Sequence, residues 1–376
     1  METKIWLSSP HMGGGEMKYI QQAFDENWIA PLGPNVNGFE ADLENFLENN
    51  VHVTALSSGT AALHLALVLL DVKTGDEVIC QSLTFAASAN CIRYCGAIPV
   101  FIDSEPNTWN MCPVLLEEAI LDRIKKGKKP KAIMVVCLYG MPYQVEAIQS
   151  VAAKYEIPII EDSAEALGSS YKGRMMGTFG DYSVLSFNGN KIITTSGGGA
   201  LVTKNIENKQ RAIFFATQAK ENTVHYEHTE VGYNYRMSNV SAGIGRGQME
   251  VLSERVDQRR SLNQFYTNLL DSKKGVQVFK EPSDLFFSNH WLTALVLDSE
   301  LEHTPDNLRF ELERHNVEAR PLWKPMHLQP AFAAFPRYEN GVSKNLFNTG
   351  LCLPSGSNLT DSQKQKIGNI LLDYLV

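Results

Sequence analysis

Short apolar runs and helical segments alternate between residues 77 and 162, and this alternation restricts the fold more than any other feature of the chain. The predicted strands are 77–81, 97–102, 132–137 and a run that ends at Asp162, and the helices between them are 86–95, 114–126 and 144–155. Strands that alternate with helices at this spacing are typical of a mostly parallel sheet covered by helices on both faces. The chain is therefore predicted to have an α/β fold.

The pattern changes after Thr203, where the regular alternation stops. The segment 231–252 is predicted to run into one long helix that continues to about Leu270. Further along, the predicted elements are a strand at 290–297, a helix at 305–315 and a final helix from Thr360. We therefore predict a large domain over residues 1–250 and a smaller α+β domain over residues 251–376.

Composition and charge exclude several classes of function. A hydrophobic content of 44% and a charged content of 20% are those of an ordinary globular protein, and the net charge of -8 argues against nucleic-acid or membrane-surface binding. The six cysteines form no CxxC pair, which favours buried thiols in a reducing compartment and no metal site. The start of the chain lacks the pattern of a signal peptide, and the longest apolar run, 61–70, is too short to span a bilayer. A cytoplasmic location is expected.

A carboxylate and a lysine stand at the ends of two neighbouring strand signals. The apolar run 157–160 stops at Glu161 and Asp162, and the β-like run 182–187 is followed by Lys191. In open α/β sheets such strand ends meet at the ligand-binding edge. Pyridoxal phosphate would use this pair, because a lysine can hold it as a Schiff base while a carboxylate keeps its ring nitrogen protonated. The alternative is a solvated loop lysine and a helix-capping aspartate.

Two further segments suit the same cofactor. Ser57, Ser58, Gly59 and Thr60 precede a helical run, where free N–H groups and the helix dipole attract a phosphate. Helix capping by serine or threonine is the alternative. Phe85 is predicted at the start of another helix, from which it could stack on a flat ring or pack in the core.

Several stretches together carry a recognisable set of motifs. In order, these are SSGTAALHLAL (57–67), TFAASAN (84–90), EDSAEALG (161–168), FGDYSVLSFNGNK (179–191), GYNYRMSN (232–239) and RPLWKPMH (320–327). They resemble the DegT-type (DegT/DnrJ/StrS) sugar aminotransferases in motif and in order, over nearly the whole chain. The resemblance implies a fold-type I pyridoxal phosphate enzyme that aminates a nucleotide-linked keto-sugar, with L-glutamate as the amino donor.

The resemblance also implies a role for each matching residue. Lys191 would bind the cofactor covalently and move the proton to and from the substrate carbon, and Asp162 would be the partner of the ring nitrogen. The groups that match phosphate ligands are Gly59, Thr60 and Ser186. Phe85 would stack on the ring. Asn234 corresponds to an asparagine that reaches the phosphate from a second subunit, so a homodimer with shared active sites is implied.

One position departs from many relatives, which carry histidine or glutamine where this chain has Glu165. A carboxylate three residues after Asp162 could face the cofactor or the sugar, as a hydrogen-bond acceptor or as a second acid or base. A surface glutamate is the alternative. Another branch of the family replaces the lysine with histidine and performs dehydration, and the presence of Lys191 disfavours that branch.

The expected substrate follows from the resemblance to one subgroup, which aminates C4 of UDP-linked 4-keto-6-deoxy-N-acetylglucosamine. Besides Glu165, the residues implied to line the substrate pocket are Trp28, Ile29, Ala30, Pro31, Leu32, His225, Tyr226, Arg320 and His327. For each of them, core packing or a solvated loop is the alternative. The rival functions are amination at C3, a dTDP- or GDP-linked substrate, and a pyridoxal phosphate-binding regulator without turnover.

Overall fold

A mixed eight-stranded sheet lies at the centre of the chain, in a computed structural model that describes residues 3–48, 50–298 and 301–375. The strands are β1 (His52–Leu56), β2 (Glu77–Gln81), β3 (Ile98–Ile102), β4 (Ala132–Val136), β5 (Ile159–Asp162), β6 (Ser170–Tyr171), β7 (Arg174–Met175), β8 (Tyr182–Ser186), β9 (Gly199–Thr203), β10 (Val276–Val278), β11 (Phe286–Phe287), β12 (Thr293–Leu297), β13 (Arg320–Pro321), β14 (Arg337–Tyr338) and β15 (Gly350–Leu353).

Helices cover the sheets and connect the strands. They are α1 (Glu16–Asp25), α2 (Pro34–Leu47), α3 (Gly59–Leu69), α4 (Ala86–Tyr94), α5 (Pro113–Lys125), α6 (Val145–Tyr155), α7 (Ile206–Ala216), α8 (Asn239–Met249), α9 (Leu252–Leu270), α10 (Pro305–Arg314), α11 (Val342–Thr349) and α12 (Asp361–Tyr374). Short 3₁₀ turns lie at Leu138–Gly140 and Met326–Leu328. In the ranges that the structure describes, no helix is both long and apolar enough to cross a membrane.

The order of strands in the large sheet is β1-β9-β8-β5-β4-β2-β3-β14. Strand β9 runs antiparallel to both of its neighbours, and the other pairings are parallel. Alternate residues of β4 enter different cores: Ala132 and Met134 pack on one face, whereas Ile133 and Val135 pack on the other. A strand that is buried on both faces reads as a continuous apolar run. The predicted α/β fold with a mostly parallel sheet is confirmed.

The C-terminal region builds a second sheet, with the order β10-β12-β15-β13 and antiparallel pairing throughout. Its core also includes apolar side chains of α9, α10 and α12. The predicted domain boundary after residue 250 falls between α8 and α9. Strand β14, however, comes from the C-terminal region and pairs with β3 of the large sheet. The division at residue 250 stays a prediction.

The prediction of a single long helix that continues to about Leu270 is wrong, because the structure has two helices, α8 and α9, in its place. The break at residues 250–251 lies where the N-terminal segment crosses. A Cβ atom on Gly13 would lie 2.9 Å from Val251 Cγ2, and one on Gly15 would lie 2.5 Å from Glu250 Oε2. Tertiary packing at this crossing therefore overrides the helical pattern of the sequence.

Candidate active site

A cavity of about 390 Å³ lies at the edge of the large sheet where β5 and β8 end and α3 begins. Strands β5 and β8 are parallel neighbours, so their carboxyl ends meet at this edge. The predicted site residues that line the cavity are Ser58, Gly59, Thr60, Phe85, Asp162, Glu165, Ser186, Lys191 and Arg320. The structure thus brings together residues from five separate segments of the chain.

Lys191 lies in the loop between β8 and β9. Its side chain is only 12% exposed, and its Nζ atom lies 3.2 Å from Glu165 Oε1. The same atom lies 4.1 Å from the centroid of the Trp291 ring. The alternative of a solvated loop lysine does not describe this environment, because the amine is held between a carboxylate and an aromatic face.

Asp162 is the last residue of β5 and is buried at the cavity wall. The hydroxyl of Ser88 donates to its Oδ2 at 2.7 Å, and the N–H of Ala164 donates to its Oδ1 at 3.2 Å. Burial raises the pKa of Asp162, while these two bonds and the charge of Lys191 act in the opposite direction. No helix begins in the described residues directly after Asp162, so the alternative of a helix-capping aspartate does not describe it, and the bond from Ala164 is a local turn contact to one oxygen.

Glu161 has a different role from Asp162, because successive residues of a strand point to opposite faces of the sheet. Its buried carboxylate accepts hydrogen bonds from the N–H groups of Gly177, Phe179 and Gly180 at 2.7, 2.8 and 3.0 Å. It also accepts from the hydroxyl groups of Ser163 and Ser183. These bonds fix the loop that returns the chain to β8, and so they place β8 beside β5.

Glu165 is buried, so the alternative of a surface glutamate does not apply. Its Oε2 accepts a hydrogen bond of 2.7 Å from the N–H of Tyr139, a residue in the left-handed region with a φ of 55°. Its Oε1 faces Lys191. Burial raises the pKa of Glu165 to about 7, although Lys191 and the Tyr139 N–H act in the opposite direction.

The raised pKa of Glu165 predicts a stability that falls as pH rises. The folded protein keeps a proton that the unfolded chain releases near the ordinary value of 4.5, so the free energy of unfolding decreases from about pH 4.5 up to about pH 7. Between about pH 5.5 and pH 7.5, Glu165 should lower it by about 2 kcal/mol. Chemical denaturation of the cofactor-free protein should show this loss, and Glu165→Gln should remove most of it. Equal slopes for the two proteins would contradict the prediction.

The start of α3 has the features of a phosphate site. Ser58 caps the helix, with its Oγ accepting from the N–H of Ala61 at 3.0 Å, so the capping alternative also holds for this residue. A Cβ atom on Gly59 would lie 3.0 Å from Ser186 Cβ and 3.2 Å from its Oγ. Glycine therefore keeps the space between the helix terminus and the Ser186 hydroxyl open.

Pyridoxal phosphate fits this set of groups. The amine of Lys191 suits its aldehyde, and the carboxylate of Asp162 suits its ring nitrogen. The first turn of α3 and the hydroxyl of Ser186 suit its phosphate. Phe85 is 60% exposed at the cavity wall, with its ring 5.6 Å from that of Trp323, so an aromatic surface is available beside these groups.

Nine predicted residues lie outside the wall of this cavity. They are Trp28, Ile29, Ala30, Pro31, Leu32, His225, Tyr226, Asn234 and His327. His327 is buried, with its Nδ1 atom 2.6 Å from Ser82 Oγ. The other eight are exposed on loops. Their binding roles stay predictions.

Trp291 and Trp323 in the cavity wall, and Ser88 and Tyr139 behind it, are groups that the sequence did not indicate. Ser88 lies within the quoted stretch 84–90, four residues after Thr84, and their hydroxyl oxygens are 2.9 Å apart. Trp323 lies within the quoted stretch 320–327. Both could have been found from their motifs. Trp291 and Tyr139 gave no such signal, because Trp291 falls in the predicted strand 290–297 and Tyr139 falls between the predicted strand 132–137 and the helix 144–155.

A larger groove of about 980 Å³ lies between β10, the start of α11 and residues 106–109. None of the predicted site residues lines it. The smaller cavity is therefore the candidate active site, because chemistry depends on the groups that converge in a cavity more than on its size.

Comparison with known proteins agrees with this geometry. Residues 10–372 match the DegT/DnrJ/EryC1/StrS aminotransferase family. The chain is 50% identical to EpsN of Bacillus subtilis (strain 168), to which pyridoxal phosphate-dependent aminotransferase activity is ascribed, over 99% of this chain and 96% of EpsN. It is 38% identical to GDP-perosamine synthase of Escherichia coli O157:H7, over 96% of this chain and 95% of that protein.

Solved structures share the fold. The crystal structure of a DegT DnrJ EryC1 StrS aminotransferase from Brucella abortus superposes with a TM-score of 0.88 at 28% identity, covering 96% of this chain and 95% of that chain. The fold class and the resemblance at the family level are confirmed. The chain belongs to the DegT/DnrJ/EryC1/StrS aminotransferase family.

Proposed function

We propose that the protein transfers the amino group of L-glutamate to a nucleotide-linked 4-keto-6-deoxy sugar. The protein is a pyridoxal phosphate-dependent aminotransferase, as its family and the activity ascribed to EpsN indicate. The observation that carries the proposal is the convergence of the Lys191 amine and two buried carboxylates, Asp162 and Glu165, on one cavity. A non-catalytic binding protein has no need of an amine placed to move protons.

Each group in the cavity has a task that its position supports. Bound at Lys191, pyridoxal phosphate supplies a ring that withdraws electrons from the carbon bearing the transferred nitrogen. Lys191 carries a proton at Nζ, and Asp162 presents a buried carboxylate that would hold a proton on the ring nitrogen. The first turn of α3 and Ser186 orient the phosphate. L-glutamate leaves as its 2-keto acid, and the sugar gains the amine.

The substrate first expected from the motifs is a UDP-linked N-acetylhexosamine. Arg320 lines the cavity with a largely exposed guanidinium group and could contribute to binding a negatively charged nucleotide end, although its Nε and one terminal nitrogen already donate to Glu318 Oε1 at 2.9 and 2.6 Å. A GDP-linked sugar is the second candidate, and the name of the Escherichia coli relative favours it. A dTDP-linked sugar and amination at C3 are the remaining alternatives.

The proposal also includes a homodimer whose subunits share their active sites. Trp28, Ile29 and Leu32 are 46%, 53% and 56% exposed, and apolar side chains exposed together on one loop support a contact surface. Asn234 is exposed and lies outside the cavity of its own chain. This position suits the expected role of reaching the phosphate of a second subunit.

The substrate proposal predicts a clear preference among nucleotides. The purified protein with L-glutamate is to be offered UDP-, GDP- and dTDP-linked 4-keto-6-deoxy sugars side by side, with formation of amino-sugar followed by mass spectrometry. We expect kcat/KM for one nucleotide to exceed the others by about tenfold or more, because a wrong base that leaves a buried polar group of the protein unpaired costs about 1–3 kcal/mol. A UDP preference supports the first candidate, and a GDP preference supports the second. Loss of the absorbance of the bound cofactor on addition of glutamate, without amination of any of the sugars, would favour the regulator.

A further inference from the structure

We propose that Trp291 is a positioning residue for the proton-carrying amine of Lys191, and that the Trp291 ring, the Glu165 carboxylate and Asn289 form a seat for that amine. This amine seat rests on the proposed function, because it assigns Glu165 and Trp291 a part in the same reaction. Its two walls are the Glu165 carboxylate, 3.2 Å from Nζ, and the Trp291 ring, whose centroid is 4.1 Å from Nζ.

The Trp291 ring is fixed from several directions. Its indole N–H donates to the carbonyl oxygen of Asn190 at 2.7 Å, next to the lysine in sequence. Its backbone carbonyl accepts a hydrogen bond from the guanidinium group of Arg259, which is 2% exposed. A ring held by both its backbone and its indole nitrogen keeps one orientation toward the amine.

Asn289 connects the two walls of the seat. Its Oδ1 accepts from the N–H of Trp291 at 2.8 Å, and its Nδ2 donates to the carbonyl oxygens of Glu165 and Leu167 at 2.8 and 2.9 Å. A Cβ atom on Gly140 would lie 1.9 Å from the Asn289 Oδ1, and the φ of Gly140 is +93°. Glycine is thus required beside Tyr139, whose N–H fixes the second oxygen of Glu165.

The groups of the seat surround the Lys191 amine with surfaces that attract a cation. An aromatic face attracts a cation, and a carboxylate within 4 Å does so more strongly. A lysine that moves protons needs a defined position for the protonated amine between transfers. Among the other titratable groups around the seat, Asp162 interacts through its charge with both Lys191 and Glu165. Tyr139, Cys137 and Cys352 lie near Glu165.

Chemical labelling of the amine tests the seat without turnover. The full-length protein, freed of cofactor, is treated with acetic anhydride at about pH 7 and at about pH 11, above the ordinary pKa of a lysine, and acetylation of the Lys191 peptide is followed by mass spectrometry. Because only a neutral amine reacts, the ratio of the rate at the lower pH to that at the higher pH reports on protonation. We expect Trp291→Leu to raise this ratio about three- to tenfold. Glu165→Gln should raise it as well, and Trp291→Phe, which keeps an aromatic face, should stay within about threefold of the native protein.

Two controls separate protonation from access. Trp323→Leu opens the cavity wall at a ring that lies 6.3 Å from Trp291, so it should change both labelling rates without changing their ratio. The exposed Lys204, paired with Asp181 on the surface, is the internal reference in every sample. An unchanged ratio in Trp291→Leu, or an equal rise in Trp323→Leu, would overturn the seat.

Steady-state kinetics completes the test. Trp291→Leu should lower kcat about tenfold or more while KM for glutamate stays within about twofold, because the ring acts on the amine and not on glutamate binding. Phenylalanine at this position should restore most of the rate. An unchanged labelling ratio together with sugar amination by the native protein would reject the seat and leave the proposed function standing.

Discussion

Replacing Lys191 with alanine is expected to reduce kcat for sugar amination at least about 1,000-fold. The substitution removes both the group that binds the cofactor covalently and the group that carries the proton, and positioned proton transfer alone contributes about 100- to 10,000-fold. Steady-state amination assays measure the loss. Borohydride reduction of the native protein should also attach the cofactor to the peptide that contains Lys191.

Lys204→Ala is the matched control for this experiment. Lys204 lies just after β9 and pairs with Asp181 in an exposed ion pair, so its removal should leave kcat within about twofold of the native value. A Lys191→Ala protein that aminates the sugar at the native rate would refute the assignment of the active site.

Replacing Asp162 with asparagine is expected to reduce kcat about 100-fold or more. Asparagine keeps the size of the side chain, but its single oxygen can replace only one of the two carboxylate oxygens that accept from Ser88 and Ala164, and it carries no negative charge for a protonated ring nitrogen. Circular dichroism and the absorbance of the bound cofactor should show that the variant folds and still binds pyridoxal phosphate.

Ser88→Ala provides the graded comparison for Asp162→Asn. It removes one hydrogen bond to the carboxylate and keeps the charge, so its loss of kcat should be smaller than that of the asparagine variant. An Asp162→Asn protein with kcat within about threefold of the native value would contradict the role of Asp162.

Local patterns were sufficient to predict the groups that stand at strand ends. Asp162 follows an apolar run that becomes β5, and Lys191 follows the run that becomes β8, so their proximity is a consequence of parallel pairing. The antiparallel course of β9 could also have been derived. The connection between β8 and β9, residues 187–198, which the structure describes throughout, contains no helix, whereas parallel strands are usually joined by a crossover that contains one.

Contacts between distant segments could not be predicted in the same way. Asn289 bonds to the carbonyl oxygen of Glu165 across 124 positions of sequence, and no periodicity in either segment indicates that they meet. The left-handed backbone conformation of Tyr139 could not be predicted from the sequence either, because tyrosine seldom adopts it. Trp291 is likewise positioned by contacts between distant segments, so the sequence did not indicate it, whereas Lys191 beside it follows a strand signal.

Strand β14 has a consequence for how the two sheets can move. Arg337 and Tyr338 lie between elements of the C-terminal region, yet they complete the edge of the large sheet beside β3. A hinge rotation of one sheet away from the other would have to stretch the connections on both sides of β14 or detach it. Expressing residues 1–250 alone would uncover the β3 edge, and an uncovered edge invites aggregation. A rotation of one sheet against the other is therefore expected to break the pairing of β14 with β3.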